Sequence, residues 1–173
     1  MNAVPELTTE RLLMRAWRDH DFEPWVRLCS DAEVMRMLGG RGAYSPVQAW
    51  DNLTQLAGHW LLKGFGHWAL EDRATGALVG RAGLLRPPDW PGLEVGWMVE
   101  RARWGEGLAG EAARAAVAWA QDALGARHVI SLIREDNRRS RRVAEKLGET
   151  IEGRVPLRGH DLLVYGADLP LGA

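Results

Sequence analysis

The stretch that most constrains this chain runs from Leu93 to Glu111, where a short apolar segment and a polar turn lead through glycines into a long alanine-rich run. Glycines at 105, 107 and 110 keep Cβ atoms off the backbone, and a helix starting at Gly107 presents unpaired N–H groups and the positive end of its dipole. Such a turn is an anion site, most naturally for phosphate. A Walker loop is excluded, because Gly110 is followed by Glu111 and Ala112 rather than by Lys and Ser or Thr. Gly105, Gly107 and Gly110 satisfy the literal dinucleotide fingerprint, with Glu135 standing for its ribose-binding acid. Three features oppose that reading. Glu100 to Trp104 separate the strand from the first glycine, Glu135 falls later than the usual spacing of about 20 residues, and no room remains for a substrate domain. A tight strand-to-helix turn with no ligand is the plainest alternative.

Around this stretch the spacing predicts alternating strands and helices. Leu12 to Trp17 reads as a first strand, followed by a helix capped by Asp19 or Asp21 that reaches about Ser30 and a short helical piece from Asp31 to Leu38. Gly39, Gly40 and Gly42 then make a loop ending at Tyr44. Ser45, Pro46 and Gln48 mark the start of a helix to about Lys63, with Trp50, Leu53, Leu56, Ala57 and Trp60 on its expected buried face. His67 to Asp72 and Leu78 to Leu85 read as a hairpin, and Leu93 to Val99 as the strand that opens the glycine turn. A helix from Gly107 to Leu124 buries Leu108, Ala112, Ala116 and Trp119 and is closed by Gly125. Arg127 to Ile133 follows as a strand parallel to Leu93 to Val99, because a long helix joins them. Asn137 to Leu147 is a second short helix, and Thr150 to Leu157 with Leu162 to Ala167 close the chain as an antiparallel pair.

With 173 residues, 46% of them hydrophobic and none in a low-complexity linker, residues 1–173 are expected to form one domain. Twenty-two basic against 23 acidic residues give a formal charge of −1, which indicates no general attraction to nucleic acid or anionic lipid. Cys29 is the single cysteine, and no window is apolar enough to span a bilayer. The expectation is a soluble, cytoplasmic protein.

Downstream of the glycine turn, Asp136-Asn137-Arg138-Arg139-Ser140 followed by Val143, Lys146, Leu147 and Gly148 resembles the second signature of the GNAT superfamily of acyl-CoA-dependent N-acyltransferases. The segment from Trp104 to Ala112, the strand from Glu94 to Val99 and the opening Leu7-Thr8-Thr9-Glu10-Arg11-Leu12 with Arg15 are most similar to the RimJ/RimL type, which acetylates the N-termini of ribosomal proteins. The resemblance covers nearly the whole chain. It implies an α/β (α+β) fold with a mixed, mostly antiparallel sheet of about six or seven strands, splayed at a central parallel pair and flanked by helices. It also implies acetyl-CoA as co-substrate and a primary amine as acceptor, either a protein N-terminus or a small molecule, by direct attack in a ternary complex. Two positions depart from the superfamily pattern. Trp104 stands where glutamine or arginine usually begins the phosphate turn, and Ala144 stands where many relatives carry a tyrosine that reprotonates the thiolate.

For individual residues, the resemblance assigns the pyrophosphate to backbone amides across Gly105, Glu106, Gly107, Leu108, Ala109 and Gly110, with Trp104 or Arg103 beside them. The pantetheine arm would pair with the backbone of Met98 and Val99 like an added strand and with the side-chain amide of Asn137. Arg142 or Arg138 would hold the 3′-phosphate, although the same arginines also read as a solvated basic face or as a docking site for an acidic or ribosomal partner. The N–H of Met98 would stabilise the oxyanion, and Glu94 would accept the amine proton unless it is a solvated strand-edge residue. Ser140 would assist the leaving thiolate or bond to pantetheine, its alternative being a hydroxyl bonded to its own helix. Tyr44, Trp68 and Trp97 are candidates for the acceptor pocket, and Tyr165 is a weaker acid candidate that reads first as packing. The five histidines have no metal-ligand spacing, so no metal is expected, and Cys29 reads as buried packing. A homodimer stays open. Two other classes also stay open, a nicotinamide-dinucleotide oxidoreductase and a non-catalytic acyl-CoA-binding module.

Overall fold

Strands β1 (Leu7–Thr8), β2 (Leu12–Arg15), β3 (His67–Asp72), β4 (Leu78–Leu85), β5 (Glu94–Val99), β6 (His128–Arg134), β7 (Thr150–Leu157) and β8 (His160–Asp168) form one sheet. Their order is β1-β2-β3-β4-β5-β6-β8-β7, antiparallel throughout except for β5 beside β6. The computed structural model describes residues 3–38 and 42–170, so part of the glycine loop expected from Gly39 to Tyr44 lies outside the described residues. The sheet has eight strands rather than six or seven. The addition is β1, whose two residues pair with Met14 and Leu13 and are too few for an alternating pattern to register.

Five helices cover the sheet: α1 (Phe22–Cys29), α2 (Ala32–Arg36), α3 (Pro46–Lys63), α4 (Leu108–Leu124) and α5 (Arg138–Lys146). Helix α3 starts as its sequence dictates. Ser45 Oγ accepts from the Gln48 N–H at 3.3 Å, and Gln48 Oε1 accepts from the Ser45 N–H at 2.9 Å. Its buried stripe is Ala49, Leu53, Leu56 and Trp60, rotated slightly from expectation; Ala57 is exposed and Trp50 is 47% exposed, touching Phe22 only by an edge. Alternation along β5 sends Val95 and Val99 toward α4 and Met98 toward α1, α2 and α3. Ala112, Ala113, Ala116 and Ala120 let α4 lie close on the sheet, where Trp60, Trp68 and Trp119 meet edge to face at 4.7 to 5.6 Å.

Asp21 was a candidate helix cap, but its carboxylate turns inward. It accepts two bonds of 2.8 Å from Arg15, whose Nε donates to Glu71 at 2.6 Å, and a third from the Arg18 N–H at 2.8 Å. Burial alone would raise the Asp21 carboxyl, but Arg15 and the Arg18 N–H outweigh it and hold the group below the usual range.

The feature that positions everything downstream is the parallel pair. Among the described residues β5 and β6 register only at Glu94 opposite Ile130, with the Ile130 N–H donating to the Leu93 carbonyl at 2.9 Å. The next carbonyl, that of Val95, lies 3.0 Å from Ser131 Oγ instead of a backbone N–H, and there the ladder stops. Ser131 Oγ also lies 3.1 Å from Glu149 Oε1. A hydroxyl carries one hydrogen, so both contacts are satisfied together only when Ser131 donates to Val95 and a protonated Glu149 donates to Ser131. Burial pushes the Glu149 carboxyl up to about 7, in keeping with that arrangement.

Two outcomes follow. Asp21→Ala leaves the Arg15 guanidinium buried with Glu71 alone, and urea denaturation should show a loss of about 3–5 kcal/mol. Glu149 binds its proton more tightly folded than unfolded, so its contribution is complete below pH 4.5 and is lost as the pH rises through about 7. Denaturation at about pH 5 and about pH 8 should show wild type weakening on the order of 3 kcal/mol more than Glu149→Gln.

Candidate active site

Beyond Val95 the two parallel strands separate, and alternation decides which backbone groups face the gap. The carbonyls of Leu93 and Val95 point toward β6, while the Glu100 N–H donates to Val79 on β4 at 2.9 Å. Met98 is opposite Arg81 on β4 in an unbroken register, so its backbone faces β4. The residues whose N–H and C=O face the gap are Trp97 and Val99. The expected oxyanion donor at Met98 is corrected accordingly: its N–H belongs to the antiparallel ladder, and its side chain is buried against the helices. The Val99 carbonyl accepts from Trp104 Nε1 at 2.8 Å, so Trp104 caps the far end of the gap.

At that end lies the glycine turn. Gly105 and Gly107 have φ of 88° and 86°, values that L side chains rarely adopt. Gly107 caps α4 without any side-chain acceptor for the first-turn amides, leaving the N–H groups before the Glu111-to-Gly107 bond free to meet a ligand. The N-terminal segment straps this turn in place. Arg11 Nη1 donates to the Glu106 carbonyl at 2.8 Å and Arg11 Nε to Glu111 Oε2 at 2.8 Å, while Thr9 Oγ1 and the Arg11 N–H donate to Glu111 Oε1 at 2.6 and 2.8 Å. Arg103 is not free for phosphate, since it binds Asp72 at 2.9 Å and Glu106 at 2.8 Å; the Glu106 carboxylate is engaged by the same bond. Free cations come from α5 instead. The Arg139 guanidinium lies 4.2 Å from the centre of the Trp104 ring, and Arg138, Arg139 and Arg142 are exposed, without ion pairs among the described residues. A strand gap lined by the Trp97 backbone and the Val99 N–H, ending in bare amides beside unpaired arginines, fits an extended amide-bearing ligand with phosphates at one end.

At the root of the gap a cavity of about 390 Å³ brings together Glu94, Trp97, Met98, Asn137, Ser140 and Tyr44. Glu94 is no solvated edge residue: it accepts from Trp90 Nε1, faces Arg81 across the cavity, and burial pushes its carboxyl upward. Ser140 Oγ accepts from Trp97 Nε1 at 3.3 Å, which ties β5 to α5. Asn137 Oδ1 caps α5 by accepting from the Ser140 N–H at 3.1 Å, and its Nδ2 donates one hydrogen to the Met37 carbonyl at 3.5 Å, which leaves the second for a ligand. Trp68 lies elsewhere. It is fully buried on the α4 side of the sheet with Nε1 bonded to the Pro5 carbonyl at 2.7 Å, because it alternates with His67 along β3. Tyr165 is buried with its hydroxyl held by Arg141 at 3.0 Å, and Ala144 is packed near it in the same cluster. Burial pushes the Cys29 thiol up to about 12, so it stays protonated and unreactive.

Several site residues escaped the sequence reading. His67 and Arg81 line the cavity from neighbouring strands, Trp90 holds Glu94, and Glu149 supports Ser131 from behind. The alternation of His67 and Arg81 among apolar neighbours is a signal of polar side chains on one sheet face. Only the register, which sets Ala69 opposite Arg81, brings them together.

Residues 11–150 match the acetyltransferase (GNAT) domain family. The uncharacterized protein YkkB of Bacillus subtilis is 33% identical over 153 residues, 86% of this chain and 87% of that protein. The uncharacterized N-acetyltransferase YoaA of the same organism is 29% identical over 150 residues, 86% of this chain and 85% of its own. A crystal structure of an acetyltransferase from Agrobacterium tumefaciens superposes with a TM-score of 0.85 at 29% identity, covering 96% of each chain. A RimL ribosomal-protein α-N-acetyltransferase determined with coenzyme A shares the fold at a TM-score of 0.79 and 16% identity, covering 99% of this chain and 100% of its own. Neither the dinucleotide oxidoreductase nor the non-catalytic binding module finds support. The chain belongs to the GNAT family and is an acetyl-CoA-dependent N-acetyltransferase.

Proposed function

We propose that the gap between β5 and β6 takes acetyl-CoA lengthwise and that Glu94 is the general base for a primary amine entering from the cavity. The observation that carries this reading is the position of Glu94 at the last paired step of the parallel ladder, at the junction of cavity and gap. Acetyl-CoA supplies an activated thioester carbonyl. The first-turn amides from Gly105 to Gly110 hold the pyrophosphate, and Arg142 or Arg138 holds the 3′-phosphate. Val99 and the Asn137 amide line the pantetheine arm. The Trp97 N–H takes the oxyanion role assigned by sequence to Met98, because it faces the gap. As the nitrogen–carbon bond forms and the carbon–sulfur bond breaks, the amine proton passes to Glu94 and coenzyme A leaves as the thiolate, which takes a proton from water while Glu94 returns its own to solvent. Ser140, steadied by Trp97, is the hydroxyl assigned to the departing sulfur. Tyr44 and Trp97 shape the acceptor side, where the amine belongs to a small molecule or to a protein N-terminus.

Glu94 acts as a base only when ionised, so turnover rises as the pH passes upward through its raised folded value. Glu94→Gln should lower kcat by about a hundredfold or more and abolish that rise. The acetyl-CoA-induced gain in Tm should stay as in wild type, and an unchanged kcat removes the assignment. For the nucleotide end, wild type should bind coenzyme A more tightly than dephospho-coenzyme A by titration calorimetry. Arg142→Glu should erase the difference, and a difference that persists assigns the 3′-phosphate elsewhere.

A further inference from the structure

The cavity beside Glu94 has a charge pattern that acetyl transfer alone does not require. Glu94 is the only carboxylate lining it among the described residues, whereas Arg81, Arg134 and Arg158 all border it. Arg134 is neutralised by Asp136 at 3.0 Å, and Arg158 stacks 4.9 Å from the centre of the Trp90 ring at the β7–β8 turn. Arg81 lies deepest. Its neighbours are Glu94, Cys29 and Tyr44, it makes no ion pair among the described residues, and its buried Nε has no partner.

His67 sharpens the picture. It is fully buried, and its Nδ1 meets Arg81 Nη1, a group that can only donate. The tautomer inferred from that bond puts the imidazole hydrogen on Nε2, which is also buried and without a partner. Desolvation and the Arg81 charge keep the ring neutral. Nε2 looks toward Gly96, the one position on this face of β5 with no side chain. A Cβ added there would stand 3.4 Å from His67 Nε2 and 3.6 Å from Glu94 Oε1. The missing side chain at Gly96 thus keeps β5 from pressing on the His67 ring, which a Cβ would meet at 3.2 Å, and the cavity has these donors on one side and the base on the other.

We propose that the acceptor is a small amine carrying its own carboxylate, of the amino-acid type, with Arg81 and the His67 Nε2–H holding the carboxylate while the amine lies against Glu94. The inference rests on the acetyltransferase reading and names its substrate class. An arginine fork matches a carboxylate in shape, and an anion from the substrate compensates a cation that the protein leaves unpaired. A polyamine would bring further positive charge against Arg81 and Arg158, and the matching amide would leave both donors facing a neutral group.

The test is a thiol-release assay over paired acceptors: free amino acids, the same amino acids as α-amides, a polyamine and an N-terminal peptide. The acids should exceed their amides in kcat/KM by about tenfold or more, mainly through KM. Arg81→Gln should bring the ratio toward one while acetyl-CoA still raises Tm as in wild type. Gly96→Ala, whose Cβ would crowd the His67 ring at 3.2 Å and leaves the arginine in place, should raise KM for the acids and is a second variant should the arginine one misfold. In wild type without acetyl-CoA, N-acetyl amino acids should raise Tm and their amides should not. Equal rates for acids and amides, or preference for the polyamine or the peptide, overturn the proposal and leave acetyl transfer intact. If no amine is acetylated, the acetyltransferase reading fails instead, and the Tm comparison of acid with amide still decides the carboxylate site.

Discussion

The architecture turns on one side-chain hydrogen bond placed where a backbone bond would otherwise form. A parallel pair joined by a long helix has every reason to zip along its length, since each step satisfies two peptide groups. Here Ser131 takes the Val95 carbonyl, and Glu149 backs Ser131. Past that point the backbone of Trp97 and Val99 faces a gap rather than a neighbour. The glycine turn, the α4 amides and the cavity are arranged around the two ends of that gap, so the candidate site is an interruption of the sheet.

The two ends differ in how charge is managed. At the glycine turn, acids and bases of the protein cancel one another: Arg11 with Glu111 straps the N-terminal segment to α4, and Arg103 is shared by Asp72 and Glu106. What remains for a phosphate is the amides and the arginines of α5. At the cavity, groups are left uncancelled. Glu94 and Arg81 face each other in a low-polarity space without closing a salt bridge, so burial raises the first and lowers the second. Groups held away from their usual ionisation by burial are costly for folding, which is why they concentrate where function requires them.

Much of this was legible in the chain. The capping signals at Ser45 and Gln48, the alanine spacing of α4 and the long helix between two apolar strands identify α3, α4 and the parallel pair, because each is a local propensity with a regular period. The glycines at 105 and 107 signal backbone freedom in the sequence and have the positive φ that requires it. Misplacements came from one-residue choices of face. Trp68 belongs to the α4 side because His67 belongs to the cavity, and Met98 turns its N–H to β4 because Trp97 turns its own to the gap. Period-two alternation identifies two faces and two edges but does not say which faces what.

The sequence by itself determined every element but β1, and the glycine turn with the chemistry it could serve, since these depend on residues within a few positions of one another. Only the tertiary structure decided what meets across the sheet: Arg11 with Glu111, His67 with Arg81, Ser131 with Glu149. These partners lie between 14 and 100 residues apart. Their encounters are set by strand order and register, which follow from burying all the elements at once.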